Sequence, residues 1–233
     1  MFRTLFFLVT FVPWTLFVII TGVPLTLISP DYLHTYSRFW GKVSLFLAGV
    51  RLTVRGRENL SAPGPKVYMA NHVSNFDILA LYAGLPGQFR WLAKAELFKI
   101  PLFGFAMRRA GSISVDRSNR KKSVLSMKEA VKRIEEGTSV LIFPEGTRSP
   151  DGNLQDFKTG SFTLAVMSKA PIVPIAISGS REVMPKHSRW IQGGHIVLTV
   201  LPPVATVNRE VGERSELMEE VRQPIAAALA VGE

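Results

Sequence analysis

Between Thr4 and Ser29 the chain reads TLFFLVTFVPWTLFVIITGVPLTLIS and carries no charged residue. As a helix rising 1.5 Å per residue, such a run reaches across a hydrocarbon core of about 30 Å, and inside a soluble domain it would be unusual. It is longer than the apolar region of a cleaved signal, and no small-residue cleavage site follows, so a retained membrane segment is expected. Pro13 and Pro24 interrupt the run, and residues 31 to 50 then set Tyr32, Tyr36, Phe39, Trp40 and Val43 beside Arg38 and Lys42. That second pattern is an interfacial amphipathic helix with aromatic anchors and basic heads. One spanning helix and two short helices forming a hairpin in one leaflet both fit; the prolines and the second segment favour the hairpin.

A chain of 233 residues accommodates one sizeable core, so residues 1–50 are read as membrane-anchoring helices and 51–233 as a single α/β domain. The net charge of +10 calls for an anionic partner. With 47% hydrophobic residues, an anionic membrane or phosphorylated lipid fits better than nucleic acid, which is excluded as a partner. The charge is uneven: residues 1–134 hold 19 Lys/Arg against 6 Asp/Glu, whereas 135–233 hold 9 against 12. With no cysteine in the chain, disulfides, thiolate nucleophiles and cysteine-ligated zinc are ruled out.

After residue 51 short β-rich runs (LTVRG, KVYMA, RWLAK, SISVD, TSVLIF, IVPIAI, HIVLTVL) alternate with helix-like segments near 76–84, 101–109, 121–136 and 159–169. This alternation predicts an α/β fold with a mostly parallel central sheet flanked by helices, preceded by the N-terminal hydrophobic two-helix membrane anchor. Residues 213–230 read as a final helix disturbed at Pro224.

The stretch ANHVSNFD, residues 70–77, follows the run KVYMA and precedes the apolar run starting at Ile78. Ser74 and Asp77 match a capping box, which gives the aspartate a purely structural explanation. His72 has none, and it stands where a loop beyond a strand's C-terminal end delivers side chains to the crevice of an α/β sheet. On a continuous helix residues five apart diverge by about 140°, so His72 and Asp77 meet only if the chain turns between them, as a cap at Ser74 provides. If they meet, the carboxylate orients one ring nitrogen while the other takes a proton from a hydroxyl; with no serine in the arrangement, the nucleophile comes from the substrate.

FPEGTRS, residues 143–149, also follows a strand-like run. Gly146 lets backbone approach a ligand and Arg148 offers a planar fork for phosphate, although alone the segment would be read as a tight Pro/Gly turn with a solvent-facing arginine. Arg117 and Lys94 end two further strand-like runs, and three cations at three strand ends can converge on one crevice. His34, His187 and His195 have no comparable setting and are read as ordinary structural or surface residues.

On NHVSNFD, GSISVDR, FPEGTRS and VPIAI, in that order and with FKTGSF before the last, the sequence resembles the lysophosphatidate acyltransferases (1-acyl-glycerol-3-phosphate O-acyltransferases) of the glycerolipid acyltransferase superfamily. The resemblance implies that His72 is the base and Asp77 its partner. It further implies that Arg117, Glu145, Gly146 and Arg148 hold the glycerol phosphate, with Thr147 in the same block and Lys94 a helper. The implied acceptor is lysophosphatidate, the donor an acyl thioester of coenzyme A or acyl carrier protein, and the product phosphatidate. No cofactor and no metal are expected. Membrane lipids are expected partners, and the expected location is a membrane, a bacterial inner membrane with the catalytic domain on its cytoplasmic face. The alternatives are another lysophospholipid or a lyso-aminolipid as acceptor, an esterase using the same base on water, and a non-catalytic lipid binder.

Overall fold

The computed structural model describes residues 1–116 and 119–231. Two helices lead, α1 (Phe2–Leu25) and α2 (Pro30–Leu47), and β1 (Val50–Arg55) and β2 (Val67–Ala70) follow. The alternating part then runs α3 (Phe76–Gly84), β3 (Phe89–Lys94), α4 (Phe103–Arg109), β4 (Ile113–Val115), α5 (Arg120–Glu135), β5 (Ser139–Ile142), α6 (Thr159–Ser168) and β6 (Ile172–Ser178). The chain ends with α7 (Ser180–Val183), β7 (Gly194–Val200) and α8 (Arg214–Val231). Among the described residues the seven strands form one sheet in the order β1-β7-β6-β2-β5-β3-β4, parallel throughout except where β6 meets β7. The mostly parallel sheet flanked by helices is therefore the fold that the alternation predicted.

β2 and β5 are buried at every position, as strands covered on both faces must be. One face packs against α3, with α2 beyond it; Phe76, Leu79 and Ala80 enter that core together with Phe7 of α1 and Leu45 and Ala48 of the α2 end. The other face is covered by α5, α6 and α8 through Ile134, Phe162, Leu164, Leu217 and Val221. Because β6, β2, β5, β3 and β4 are parallel, their C-terminal ends share one edge, and the loops leaving that edge carry the motifs.

The N-terminal segment is a hairpin, but not one of two short helices. Helix α1 continues through Pro13, and the chain reverses at residues 26–29, where Ser29 caps α2 by accepting from the Asp31 N–H and Pro30 takes the first helical position. A proline removes one amide donor, a loss that a helix with the rest of its ladder intact absorbs. Helix α8 likewise passes through Pro224 without a break. α2 is less of an interfacial helix than its sequence implies, because it is wedged between α1 and α3; a Cβ at Gly41 would stand 2.7 Å from the Leu79 carbonyl oxygen, so only glycine allows this approach. Both ends of α1 rest on the α/β body. The Ile191 N–H donates to Thr4 Oγ1 at 2.9 Å, Phe7 packs on Phe76 with ring centroids 5.6 Å apart, and Arg109 Nε donates to Thr26 Oγ1 at 2.8 Å. Burying Phe7 contributes up to about 3 kcal/mol to this attachment. The opposite side of α1 leaves Leu5, Phe6, Val9, Val12, Phe17 and Ile20 exposed, and α1 is the helix among the described residues long and apolar enough to cross a membrane.

Candidate active site

The site begins with a buried asparagine. Where β2 ends at Ala70, the Asn71 side chain continues the ladder: its Nδ2 donates to the Ile177 carbonyl at 3.0 Å and its Oδ1 accepts from the Ile177 N–H at 2.7 Å. This fixes where the chain leaves the sheet, and His72 follows at once. Both backbone groups of His72 are then taken by the FPEGTRS loop, the N–H donating to Glu145 Oε1 at 2.6 Å and the carbonyl accepting from the Ser149 N–H at 2.7 Å. The imidazole lies flat on Phe143, with centroids 3.8 Å apart and planes 6° from parallel. Ring plane, backbone and exit point are thus all held by neighbouring strands.

His72 Nδ1 and Asp77 Oδ2 are 2.7 Å apart. The same oxygen accepts the N–H groups of Val73 at 2.8 Å and Ser74 at 2.9 Å, while Oδ1, also buried, has no partner among the described residues. Asp77 therefore caps and orients at once. The expected capping box is only half formed: Asp77 receives the Ser74 N–H, but Ser74 Oγ accepts from Phe76 N at 3.2 Å and donates to the Met184 carbonyl at 2.7 Å instead of bonding the Asp77 N–H. The chain turns within VSN, which is what lets side chains five residues apart meet. With Nδ1 engaged, Nε2 is the ring nitrogen left for the cleft.

Glu145 stands apart from the cations it was grouped with. Its carboxylate is buried, with Oε1 on the His72 N–H and Oε2 accepting from the Gln155 N–H at 3.1 Å. Burial pushes its pKa up to about 7 against the pull of these two bonds. In this structure it holds the two loops together and does not line the cleft. Gly146 adopts φ +78°, the left-handed region that an L side chain resists, and this tight turn aims Thr147 and Arg148 at the cleft. FKTGSF backs the turn, the Lys158 N–H donating to the Pro144 carbonyl at 2.8 Å and Phe157 being buried behind it.

The cleft has a volume of about 360 Å³. His72, Asn75, Lys94, Gly146, Thr147 and Arg148 contribute to its lining, joined by Lys186 from the segment after α7, which no sequence motif marks. An apolar part of the lining comes from Val18 and Ile19 of α1, Leu33 of α2, and Phe103 and Met107 of α4. The side chains of Lys94, Arg148 and Lys186 make no ion pair among the described residues. Arg117 lies outside the described residues. No group of three or more metal-ligating side chains occurs among the described residues. Away from the cleft, His34 is buried beside Phe89, and desolvation lowers its pKa to about 3, while His187 and His195 are exposed.

Comparison with known proteins points the same way. The acyltransferase family model matches residues 51–178. A chloroplastic 1-acyl-sn-glycerol-3-phosphate acyltransferase of Brassica napus is 33% identical over 217 residues, 90% of this chain and 61% of the relative. The alpha isoform of the mouse enzyme of the same name is 31% identical over 213 residues, 90% of this chain and 75% of the relative. The chain thus spans about three fifths of the length of its plant relatives. Among solved structures, the lysophosphatidate acyltransferase PlsC of Thermotoga maritima superposes with a TM-score of 0.83 at 25% identity, covering 97% of this chain and 93% of that one.

Proposed function

Since the chain belongs to the acyltransferase family, in the branch of the 1-acyl-sn-glycerol-3-phosphate acyltransferases, we propose that it transfers a fatty acyl group from a thioester of coenzyme A or acyl carrier protein to the 2-hydroxyl of lysophosphatidate, giving phosphatidate. The observation that carries the reading is the 2.7 Å contact between His72 Nδ1 and Asp77 Oδ2 in a cleft lined by three cations and by apolar residues of α1, α2 and α4. Nε2 takes the hydroxyl proton as the substrate oxygen attacks the thioester carbonyl. Asp77 keeps the tautomer and offsets the imidazolium charge. Collapse of the tetrahedral intermediate expels the thiolate, which recovers the proton from Nε2, so no acyl-enzyme forms and atoms balance.

The oxyanion needs backbone donors, and the N–H of Gly146 is taken by the Phe143 carbonyl at 3.0 Å. The N–H groups of Asn75, at the start of α3, and of Thr147 and Arg148 donate to no protein acceptor among the described residues and belong to residues that line the cleft. These donors fit the developing charge better. Arg148 and Lys94 suit the acceptor's phosphate, and the apolar wall shared by the hairpin and α4 suits an acyl chain.

Membrane association belongs to the same reading. The exposed apolar side of α1, with both of its ends tied to the body, supports a hairpin entering one leaflet over a helix whose far end leaves the domain. Single cysteines placed at positions 3 and 150 should then label from the same face of intact vesicles, and labelling from opposite faces would refute it. For the reaction, free thiol release is followed over a matrix of donors and acceptors in detergent, where the absence of cysteine removes protein background. Release should require lysophosphatidate; equal release without any acceptor would identify a thioesterase instead.

A further inference from the structure

Lys186 comes from the connection between α7 and β7, is half-buried, and lines the same cleft as His72. Among the described residues its side chain has no ion pair and no hydrogen bond. A cation partly withdrawn from water without a counter-charge is unfavourable unless a ligand supplies one. Its position is also built. The Met184 carbonyl accepts from buried Ser74 Oγ at 2.7 Å, and Ser74 lies two residues beyond His72 just as Lys186 lies two beyond Met184. Each of these two-residue segments spans at most about 7 Å, so the hydrogen bond ties the chain bearing Lys186 close to the chain bearing His72, and both side chains line the one cleft.

Sheet order gives the lysine its meaning. β2, which delivers His72, lies between β6 and β5. Arg148 and Lys94 follow β5 and end β3, on one flank of the base; Lys186 follows β6, on the other flank, with neighbouring strands about 4.8 Å apart. We propose that Lys186 closes on the acceptor's phosphate from the β6 flank, opposite Arg148. A phosphate monoester is then held between opposed cations and its dianion favoured over the single charge of a diester headgroup. The inference rests on the reading of the acceptor as lysophosphatidate and adds to it the residue that selects a monoester. Ligand chemistry favours the acceptor over the donor. In lysophosphatidate one carbon and one ester oxygen link the carbon bearing the reacting hydroxyl to phosphorus, whereas in either thioester the whole pantetheine arm separates sulfur from the nearest phosphate. A cation in the same cleft as the base suits the former.

The test compares wild type with Lys186→Ala and Lys186→Arg, by calorimetric binding in detergent of lysophosphatidate, lysophosphatidylglycerol and monoacylglycerol, and by KM for donor and acceptor separately. Lys186→Ala should weaken lysophosphatidate binding about tenfold or more, the loss expected for a charge-assisted bond. The diester and the phosphate-free lipid should change far less, the donor KM should hold, Lys186→Arg should restore most of the affinity, and the thermal midpoint should not move. A rise in donor KM with acceptor binding intact would reassign the lysine to the pantetheine phosphate. An equal change for all three lipids, or none, would make it a structural or idle residue; each of these results overturns the clamp. Wild-type protein that binds lysophosphatidate without acylating it would end the reaction proposed above while the binding series still decides the clamp.

Discussion

The two sides of the cleft are built on opposite principles. Around His72 nearly every polar atom is already spent: Asp77 Oδ2 accepts three bonds, both Glu145 oxygens accept backbone N–H groups, and the His72 backbone is tied on both sides. Around Lys94, Arg148 and Lys186 the side chains carry charge and no protein partner among the described residues. The first region fixes the His72 ring before any ligand arrives, which the proposed proton transfer requires of a preorganised base. The second leaves its electrostatic work for the ligand to complete. Substitutions on the wired side should therefore change rate and stability, and substitutions on the open side should change affinity alone.

The largest break is His72→Ala, which removes the proposed proton acceptor and should lower the rate of acyl transfer by about 10²-fold to 10⁴-fold. Lysophosphatidate affinity should hardly move, while the thermal midpoint should fall modestly, because the buried Asp77 carboxylate loses one partner and Phe143 loses the ring stacked on it. Asp77→Asn comes next, with a rate loss of about 10²-fold or more because the carboxamide favours the wrong tautomer. It should also destabilise the fold, since the replaced oxygen carries two backbone N–H groups besides the imidazole. Combining the two should be hardly worse for rate than His72→Ala, as expected of groups acting as one unit. An active, well-folded His72→Ala protein would end the mechanism.

On the open side Arg148→Ala should raise the acceptor KM about tenfold, with donor KM and thermal midpoint unchanged. The contrast with Asp77→Asn sharpens the comparison, because one substitution moves stability and the other does not. Should Arg148→Ala weaken phosphorylated and phosphate-free acceptors equally, the arginine leaves the phosphate role and the two sides of the cleft cease to differ in the way described.

How much of this could be read beforehand follows from the range of the interactions. The strands and the helices beyond residue 51 show in hydrophobic periodicity, which is local, and FPEGTRS and NHVSNFD announce themselves because glycine, proline and a lone histidine interrupt that periodicity. The prolines of α1 misled, since tertiary packing at both ends of the helix outweighs one missing amide at Pro13. Asn71 was invisible as a positioning residue: its partner Ile177 is 106 residues away, and only the adjacency of β2 and β6 brings them together. Lys186 escaped for the same reason. Glu145 was seen but grouped with the ligand-binding residues, because nothing in a short motif tells which way a carboxylate faces.

That carboxylate supplies the smallest and most specific test. Glu145 has its pKa raised from 4.5 to about 7, chiefly by burial, so between those values the folded protein holds a proton that the unfolded chain has released. Stability must then fall as pH rises across the window, by no more than about 1.4 kcal/mol per pH unit for one group. Glu145→Gln removes that slope. Its amide oxygen satisfies one of the two N–H donors and its amide nitrogen opposes the other, a fixed loss of about 1–3 kcal/mol for a buried donor left without an acceptor. The native protein should therefore hold its greatest stability advantage over the variant near pH 5 and a smaller one near pH 8, in denaturant titrations at both values. The rate should fall only severalfold, because His72 keeps Asp77, Phe143 and the Ser149 bond. Parallel stability curves for the two proteins would show that Glu145 keeps an ordinary carboxylate pKa in the fold, and a rate loss as large as that of Asp77→Asn would move it from holding the loops to acting on the base itself.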